Sequence, residues 1–387
     1  MAASRAYLDH NASAPLLPGA REAMVAALGI TANPSSVHSE GRAARRIVED
    51  ARRDVAALVN TKPEHVVFTS GATEAATTLL TPDWQMGRGA VRMSKAYVSA
   101  ADHPCLLNGG RFGTERTTQI DVDGDGITDL DVLRQALAVH DKAEGLSLVA
   151  IHAANNETGV IQPLGNIAEI VKAAGGVFVV DAVQAAGRIP LDLTAGYADY
   201  LILSSHKIGG PKGVGAFVAA SDLMMPKPLV TGGGQERGFR AGTENLAAIA
   251  GFGAAAREAK VALAGIDQVR ALRDGLEASI LSLAPDAEIF GRRSERLANT
   301  IFFAIPGVKS ETAQIAFDLA GVALSAGSAC SSGKVGPSHV LKAMGHDNSE
   351  GALRVSIGLA TTPAEIEQFR AALAGILARR AEKTKAA

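Results

Sequence analysis

Cysteine is scarce: Cys105 and Cys330 are the only two in 387 residues. That is too few for a disulfide framework and suits a reducing compartment in which both stay free thiols. An excess of charge of either sign is also missing. Lys and Arg number 38 against 40 Asp and Glu, for a formal net charge of -2, so nothing argues for nucleic acid or an anionic membrane as a partner. No apolar run approaches the length of a membrane span. The start, Met1-Ala-Ala-Ser-Arg-Ala-Tyr-Leu-Asp-His10, lacks the basic-then-apolar order of a signal peptide. The expectation is a cytoplasmic chain. Hydrophobic content of 47% with 20% charged residues fits a compact globular protein, and the length allows two domains.

What is present is alternation. Residues 43–59 carry Ala43, Ala44, Ile47, Val48, Ala51, Val55 and Leu58 at helical spacing, with arginines between them. Strands are expected at 64–70, 96–100, 146–153 and 177–180, with helices at 130–139 and 167–174 between them. This order predicts an α/β domain with a largely parallel sheet. Residues 246–276 read as a connecting helix broken near Gly265, and the segment from Asn299 on, ending in a helix that starts at Pro363, as a smaller α+β unit. Ligands of such sheets sit at the carboxyl ends of strands. Polar groups collect there: Thr73, His103, Asn155-Asn156, Asp181 and His206-Lys207 each follow a different strand. Five strand ends of this kind predict one shared site.

The stretch 198–213 is the centre of that pattern. An apolar run ends in Ser204-Ser205-His206-Lys207, a Gly/Pro turn follows, and a second apolar run begins at Val214. Two strands with a lysine at the hinge is the simplest reading. Taken alone, such a lysine is a surface charge. Asp181, at the end of Val177-Phe-Val-Val, is a buried carboxylate in want of a cation. It either caps the next helix or holds a pyridinium nitrogen protonated. Ser70-Gly-Ala-Thr-Glu74 opens a helix whose N–H groups would cradle a phosphate, and no Walker lysine follows it. His103 is a structural imidazole or a ring that stacks and exchanges protons near neutral pH. Cys330 lies among Gly, Ala and Ser, in an exposed-loop setting that suits a moving nucleophile. Cys105, beside Pro104 and Leu106, is expected to be inert. Arg354 is either a surface ion-pair member or a bidentate clamp for a carboxylate. Asp121-Val-Asp-Gly-Asp-Gly126 imitates a calcium loop, but its last ligand position falls on Val132; capping of the following helix is the expected role.

Together these pieces resemble the class I cysteine desulfurases of the NifS/IscS type, in the class-V aminotransferase family. The resemblance rests on Tyr7-Leu-Asp-His-Asn-Ala12, Asn33-Pro-Ser-Ser-Val-His38, Thr69-Ser-Gly-Ala-Thr-Glu74, His103-Pro104 and Asn155-Asn-Glu-Thr-Gly159. It continues in Asp181-Ala-Val-Gln-Ala-Ala-Gly187, Ser205-His-Lys-Ile-Gly-Gly-Pro-Lys-Gly213, Gly232-Gly-Gly-Gln-Glu-Arg-Gly238, Gly242-Thr-Glu-Asn245, Gly327-Ser-Ala-Cys-Ser-Ser332 and Pro337-Ser-His-Val-Leu341. It implies the type I pyridoxal-phosphate-dependent transferase fold, with a large domain over 16–262 and a small one over 1–15 and 263–387. It implies pyridoxal 5'-phosphate as cofactor, L-cysteine as substrate, a homodimer, and a sulfur-acceptor or iron–sulfur scaffold protein as partner.

By matched position, Lys207 would hold the cofactor as an imine and move the α-proton. Asp181 would pair with the ring nitrogen, Gln184 with the phenolic oxygen, and His103 would stack on the ring. Ala72, Thr73, Ser204 and His206 would line the phosphate site, with Thr243 reaching in from the other subunit. Asn155 would serve cofactor and substrate, Arg354 the substrate carboxylate, and Cys330 would take the sulfur as a persulfide, leaving L-alanine. The chain departs from the family at Ala75-Thr78, at Leu359 after Gly358, and at Ser13-Ala14, which bears on substrate fit and acceptor. The alternatives are a related enzyme of the same fold, such as a selenocysteine lyase or an aminotransferase, and a non-catalytic scaffold.

Overall fold

The computed structural model describes residues 5–327, 338–346 and 349–386 (side chains of the last helix to residue 381). Its centre is a nine-stranded sheet. Across it run Met224–Pro226, Asp83–Met86, Gly89–Ser99, Leu146–His152, Val177–Asp181, Tyr200–Ser204, Gly215–Ala219 and Val66–Thr69, while Thr117–Ile120 pairs with the carboxyl half of Gly89–Ser99. Gly89–Ser99, Leu146–His152, Val177–Asp181 and Tyr200–Ser204 are mutually parallel. Gly215–Ala219 runs against its two neighbours. The parallel strands are buried along most or all of their length, which is why they read as apolar runs without alternation.

Helices cover both faces. Ser39–Leu58 turns Ala44, Val48, Ala51 and Val55 inward and packs with Leu246–Ala262, where Gly253 allows close approach: a Cβ there would lie 2.5 Å from Ala51 Cα. The connector breaks where expected. A 3₁₀ turn at Leu263–Gly265 separates Leu246–Ala262 from Ile266–Leu283. A second core, containing Leu276, Ile280, Phe303, Phe317 and Phe369, also takes in Ala6 and Leu8 from the start of the chain. There Ala6–Tyr7 pairs with Val322–Ala323, and Thr300–Ala304 lies between Glu288–Ile289 and Leu353–Ser356.

Three features differ from the sequence reading. Pro18–Leu28 is a helix, started by a proline at its first position, where the missing N–H costs nothing. The short strands Asp83–Met86, Thr117–Ile120 and Met224–Pro226, at or next to the sheet's margins, were not expected; pairing rather than pattern makes them strands. The acidic loop at 121–126 does not cap the next helix. Asp123 Oδ1 accepts from the N–H of Asp125 and of Ile127 within a turn, and the cap of Leu130–Ala138 is Asp129, which accepts from Asp131 and Val132.

Candidate active site

The hinge lysine sits as the sequence suggested, between Tyr200–Ser204 and the antiparallel Gly215–Ala219, on a 3₁₀ turn over Ser205–Lys207. The turn back needs glycine. Gly209 has φ +83°, and a Cβ there would lie 2.6 Å from Leu17 Cγ. Lys207 Nζ donates to two main-chain carbonyls, Asn11 at 2.7 Å and Ala12 at 3.0 Å.

A cavity of about 590 Å³ opens in front of it. Lining it are Ala72, Thr73, His103, Asp181, Gln184, Ser204, His206 and Lys207, so most of the residues singled out in the sequence meet in one place. Strand register accounts for part of this. His152 and Asp181 are paired positions on neighbouring parallel strands, and Asp181 is paired in turn with Ile202, close to the Ser204 end of its strand.

Asp181 forms the floor. It is 6% exposed, and burial raises its carboxyl above the usual range, opposed by the Val183 N–H that it accepts at 3.0 Å. Among the described residues no Lys or Arg forms an ion pair with it. A buried carboxylate that faces the cavity and pairs with no Lys or Arg among the described residues suits a protonated ring nitrogen.

At another wall Gly71 precedes the helix Ala72–Leu79, and the space on its Cβ side is empty to 4 Å. Gly215, on the neighbouring strand, lets that backbone in: a Cβ there would lie 2.7 Å from the Gly71 carbonyl carbon. Thr73, Ser204 and His206 line the cavity beside the N–H groups of this helix start, a setting suited to an anion. Burial, with Lys207, Lys212 and Arg188 nearby, lowers His206 to about 4. Glu74 accepts from Ser70 N–H and from Arg240 Nε. Burial alone would raise it, but those hydrogen bonds prevail and hold it below the usual range. This donor set fits a phosphorylated pyridine cofactor: a lysine amine, a carboxylate for the ring nitrogen, an imidazole, and an anion cradle.

Other expectations land elsewhere. The Asn155 side chain does not line the cavity. Its Nδ2 donates to Ala101 O, and its Oδ1 accepts from Glu157 and Thr158 N–H, so it fixes its own loop; Asn156 is the neighbour that lines the cavity. Gln184 is committed on both ends, with Nε2 donating to Asn11 O and Oε1 accepting from Arg188. Arg354 is no surface residue. At 2% exposure it donates to Asn156 O, Asp9 and Ser325, and its Nε has no partner among the described residues. Thr243 is exposed and lies in a separate cavity of about 170 Å³ that shares Ser70, Gly213 and Val214 with the main one. Of the departures from the family pattern, Ser13 lines the main cavity, where its Oγ meets His206 Nδ1 at 3.3 Å, and Leu359 lines a cavity behind Lys207. Cys330 lies outside the described residues.

Sequence reasoning missed Ala12, Lys212, His152 and Cys105 as cavity residues. Lys212 and Cys105 stand within motifs or next to residues already singled out. No local signal marked His152, which looks like one more residue of a buried strand.

Comparison with known proteins agrees with this geometry. The family described as aminotransferase class-V matches residues 6–369. A cysteine desulfurase of Frankia sp. (strain EuIK1) is 40% identical over 93% of this chain and 88% of its own length. One from Cereibacter sphaeroides is 39% identical over 94% of each. Among solved structures, a NifS-like protein from Rickettsia africae superposes with a TM-score of 0.86 at 31% identity, covering 96% of this chain and 99% of that one.

Proposed function

The chain belongs to the aminotransferase class-V family, and within it we propose that it is a pyridoxal-phosphate-dependent cysteine desulfurase that converts L-cysteine to L-alanine. The supporting observation is the meeting of Lys207 and Asp181, a carboxylate paired with no Lys or Arg among the described residues, in one cavity beside an open helix N-terminus. Pyridoxal phosphate, when bound, supplies an electron sink for charge released at the substrate α-carbon.

The chain's own residues do the rest. Lys207 would hold the cofactor through its amine, and the same amine would carry the substrate α-proton. The Asn11 and Ala12 carbonyls aim its amine. Asp181 would keep the proton at the ring nitrogen, where a neutral group would let it go. His103 would lie against the ring, and its Nδ1 already accepts from Cys105 N–H, which leaves Nε2 to hold a proton. Gln184 would approach the phenolic oxygen with Arg188 behind it. Ala72, Thr73, Ser204 and His206 would take the phosphate, and Thr243 would complete that site in the other copy of a homodimer. Arg354 would receive the substrate carboxylate through its uncommitted Nε, with Asn155 shaping the loop beside it.

Cys330 would attack the substrate sulfur as a thiolate. An S–S bond forms as the C–S bond breaks, leaving a persulfide on the protein for an iron–sulfur scaffold or another acceptor. In this reading residues 16–262 form the cofactor domain, 1–15 with 263–387 form the domain carrying Cys330, and the protein works in the cytoplasm.

The test is mass spectrometry of the holoprotein after incubation with L-cysteine, with alanine measured in parallel. Equimolar alanine and a one-sulfur adduct on the Cys330 peptide are expected. Alanine formation at full rate by Cys330→Ala would overturn the sulfur-transfer step.

A further inference from the structure

Outside the residues assigned above, the cavity holds a third imidazole, His152, bound into a buried chain of polar groups. His152 ends the strand Leu146–His152 and is 4% exposed. Its Nδ1 lies 2.5 Å from Asp102 Oδ1, and its Nε2 lies 3.2 Å from Gln162 Nε2. Asp102 is fully buried and closes the turn that leads into His103, its N–H donating to Ser99 O at 3.0 Å.

The orientation of Gln162 fixes the protons. Its Oε1 accepts from Thr128 N–H at 2.9 Å and Thr128 Oγ1 at 2.8 Å, while its Nε2 donates to Gly126 O at 2.9 Å. Turning the amide over would set an N–H₂ group against an N–H and a carbonyl against a carbonyl. Nε2 of Gln162 is therefore the donor to His152 Nε2, the ring proton is on Nδ1, and it goes to Asp102. The same Oδ1 accepts His152 N–H at 2.9 Å, and Oδ2 accepts Ser99 N–H at 2.7 Å. The Asp102 carboxylate thus ties the ends of two adjacent parallel strands together. Its main-chain carbonyl is held by His339 Nε2 at 2.8 Å.

We propose that the chain Gln162–His152–Asp102 is a positioning device: it locks the turn after Gly89–Ser99 so that His103 meets the cofactor ring in one orientation. The inference rests on the cofactor reading above. It also divides labour between His152 and His103, two of the three histidines that line the cavity. Both ring nitrogens of His152 are spent on Gln162 and Asp102, so proton exchange falls to His103. His152 is a positioning residue that acts through Asp102.

Two measurements test it. The first needs no cofactor: nitrogen chemical shifts of histidine-labelled apoprotein should give His152 as the Nδ1–H tautomer, and an Nε2–H tautomer would overturn the arrangement. The second compares His152→Phe with His152→Asn in the reconstituted protein. Phe removes the donor to Asp102; Asn keeps one near the Nδ1 position. Loss of a buried hydrogen bond to a carboxylate predicts a rise of about tenfold in the cofactor dissociation constant for His152→Phe, with return to within about twofold for His152→Asn. The visible circular dichroism of the bound cofactor should weaken in the first variant and recover in the second. Unchanged affinity and dichroism in a folded His152→Phe protein would overturn the proposal. A wild-type protein that takes up no pyridoxal phosphate would overturn the cofactor reading instead, and the tautomer result would stand apart from it.

Discussion

Cys105 and Asp181 face each other on the cavity floor, with the thiol sulfur 3.9 Å from Asp181 Oδ2. The sequence reading made Cys105 an inert thiol in apolar surroundings. Its place is instead beside the carboxylate expected to hold the ring nitrogen. Burial first, then the negative charges of Asp181 and Asp102, raise its thiol well above the ordinary range.

Cys105 should therefore be unreactive because it is protonated. Treatment of the native protein with iodoacetamide at pH 8 should leave Cys105 unmodified, and Cys105→Ala should keep desulfurase activity within about twofold, as expected for a group outside the chemistry. A sulfur adduct found on Cys105 after incubation with L-cysteine would contradict this.

Asp181 sets a conflict between function and stability. Its folded carboxyl is raised by burial, so the stability it contributes is present below the unfolded value and is lost as pH rises through the folded one. In the apoprotein, Asp181→Asn should raise the melting temperature at pH 8, and the gap should close on titration toward pH 4, about the ordinary carboxylate value. The same variant should lose about 10²-fold or more in desulfurase rate, because the amide cannot keep the ring nitrogen protonated. An apo melting temperature lower than wild type at pH 8 would sink the argument.

His10 and His206 carry the opposite sign. Each is lowered to about 4, by burial first and then by neighbouring cations: Arg188 for His10, and Lys207, Lys212 and Arg188 for His206. Depressed groups contribute stability that is present above the unfolded value, about 6.5, and lost as pH falls through the folded one. Apoprotein stability should decline between about pH 6.5 and 4, and His10→Gln should flatten part of that decline. Urea titrations at a series of pH values measure it.

The glycine-rich loop at 231–245 is anchored by a buried pair. Arg52 grips Glu236 with both Nη atoms, at 2.7 and 2.8 Å, and Glu236 also accepts Phe68 N–H. Glu236 and Arg237 both take positive φ, 45° and 56°, so this anchor holds a strained turn. Arg52→Ala should cost about 3–5 kcal/mol by leaving Glu236 buried and unpaired, and Arg52→Met with Glu236→Leu should recover much of it. Chemical denaturation of the two variants would decide, and equal stability of the single and double variants would count against the pair.

Much of the fold was legible in local pattern. Strands buried on both faces gave apolar runs, and helices between them gave the 3.6-residue period, so the order of elements could be read. The short strands at or next to the sheet's margins were not legible, because pairing partners make them. Within the site, residues at strand ends were legible because the chain changes abruptly from apolar to polar there. Asn155 and Arg354 were harder. Residue type suggested substrate contacts, but whether an amide faces a cavity or its own loop depends on where the neighbouring carbonyls lie.

By itself the sequence determined the α/β order, the hinge at Lys207, and the polar groups at strand ends, because these follow from neighbours along the chain. Only the tertiary structure decided what stands across from each of them. The Asn11 and Ala12 carbonyls behind Lys207, the thiol beside Asp181, and the pairing of Asp102 with His152 join residues tens to nearly two hundred positions apart. Such contacts are set by strand register and by the folding of the first residues back over the cavity, and no local window of sequence contains them.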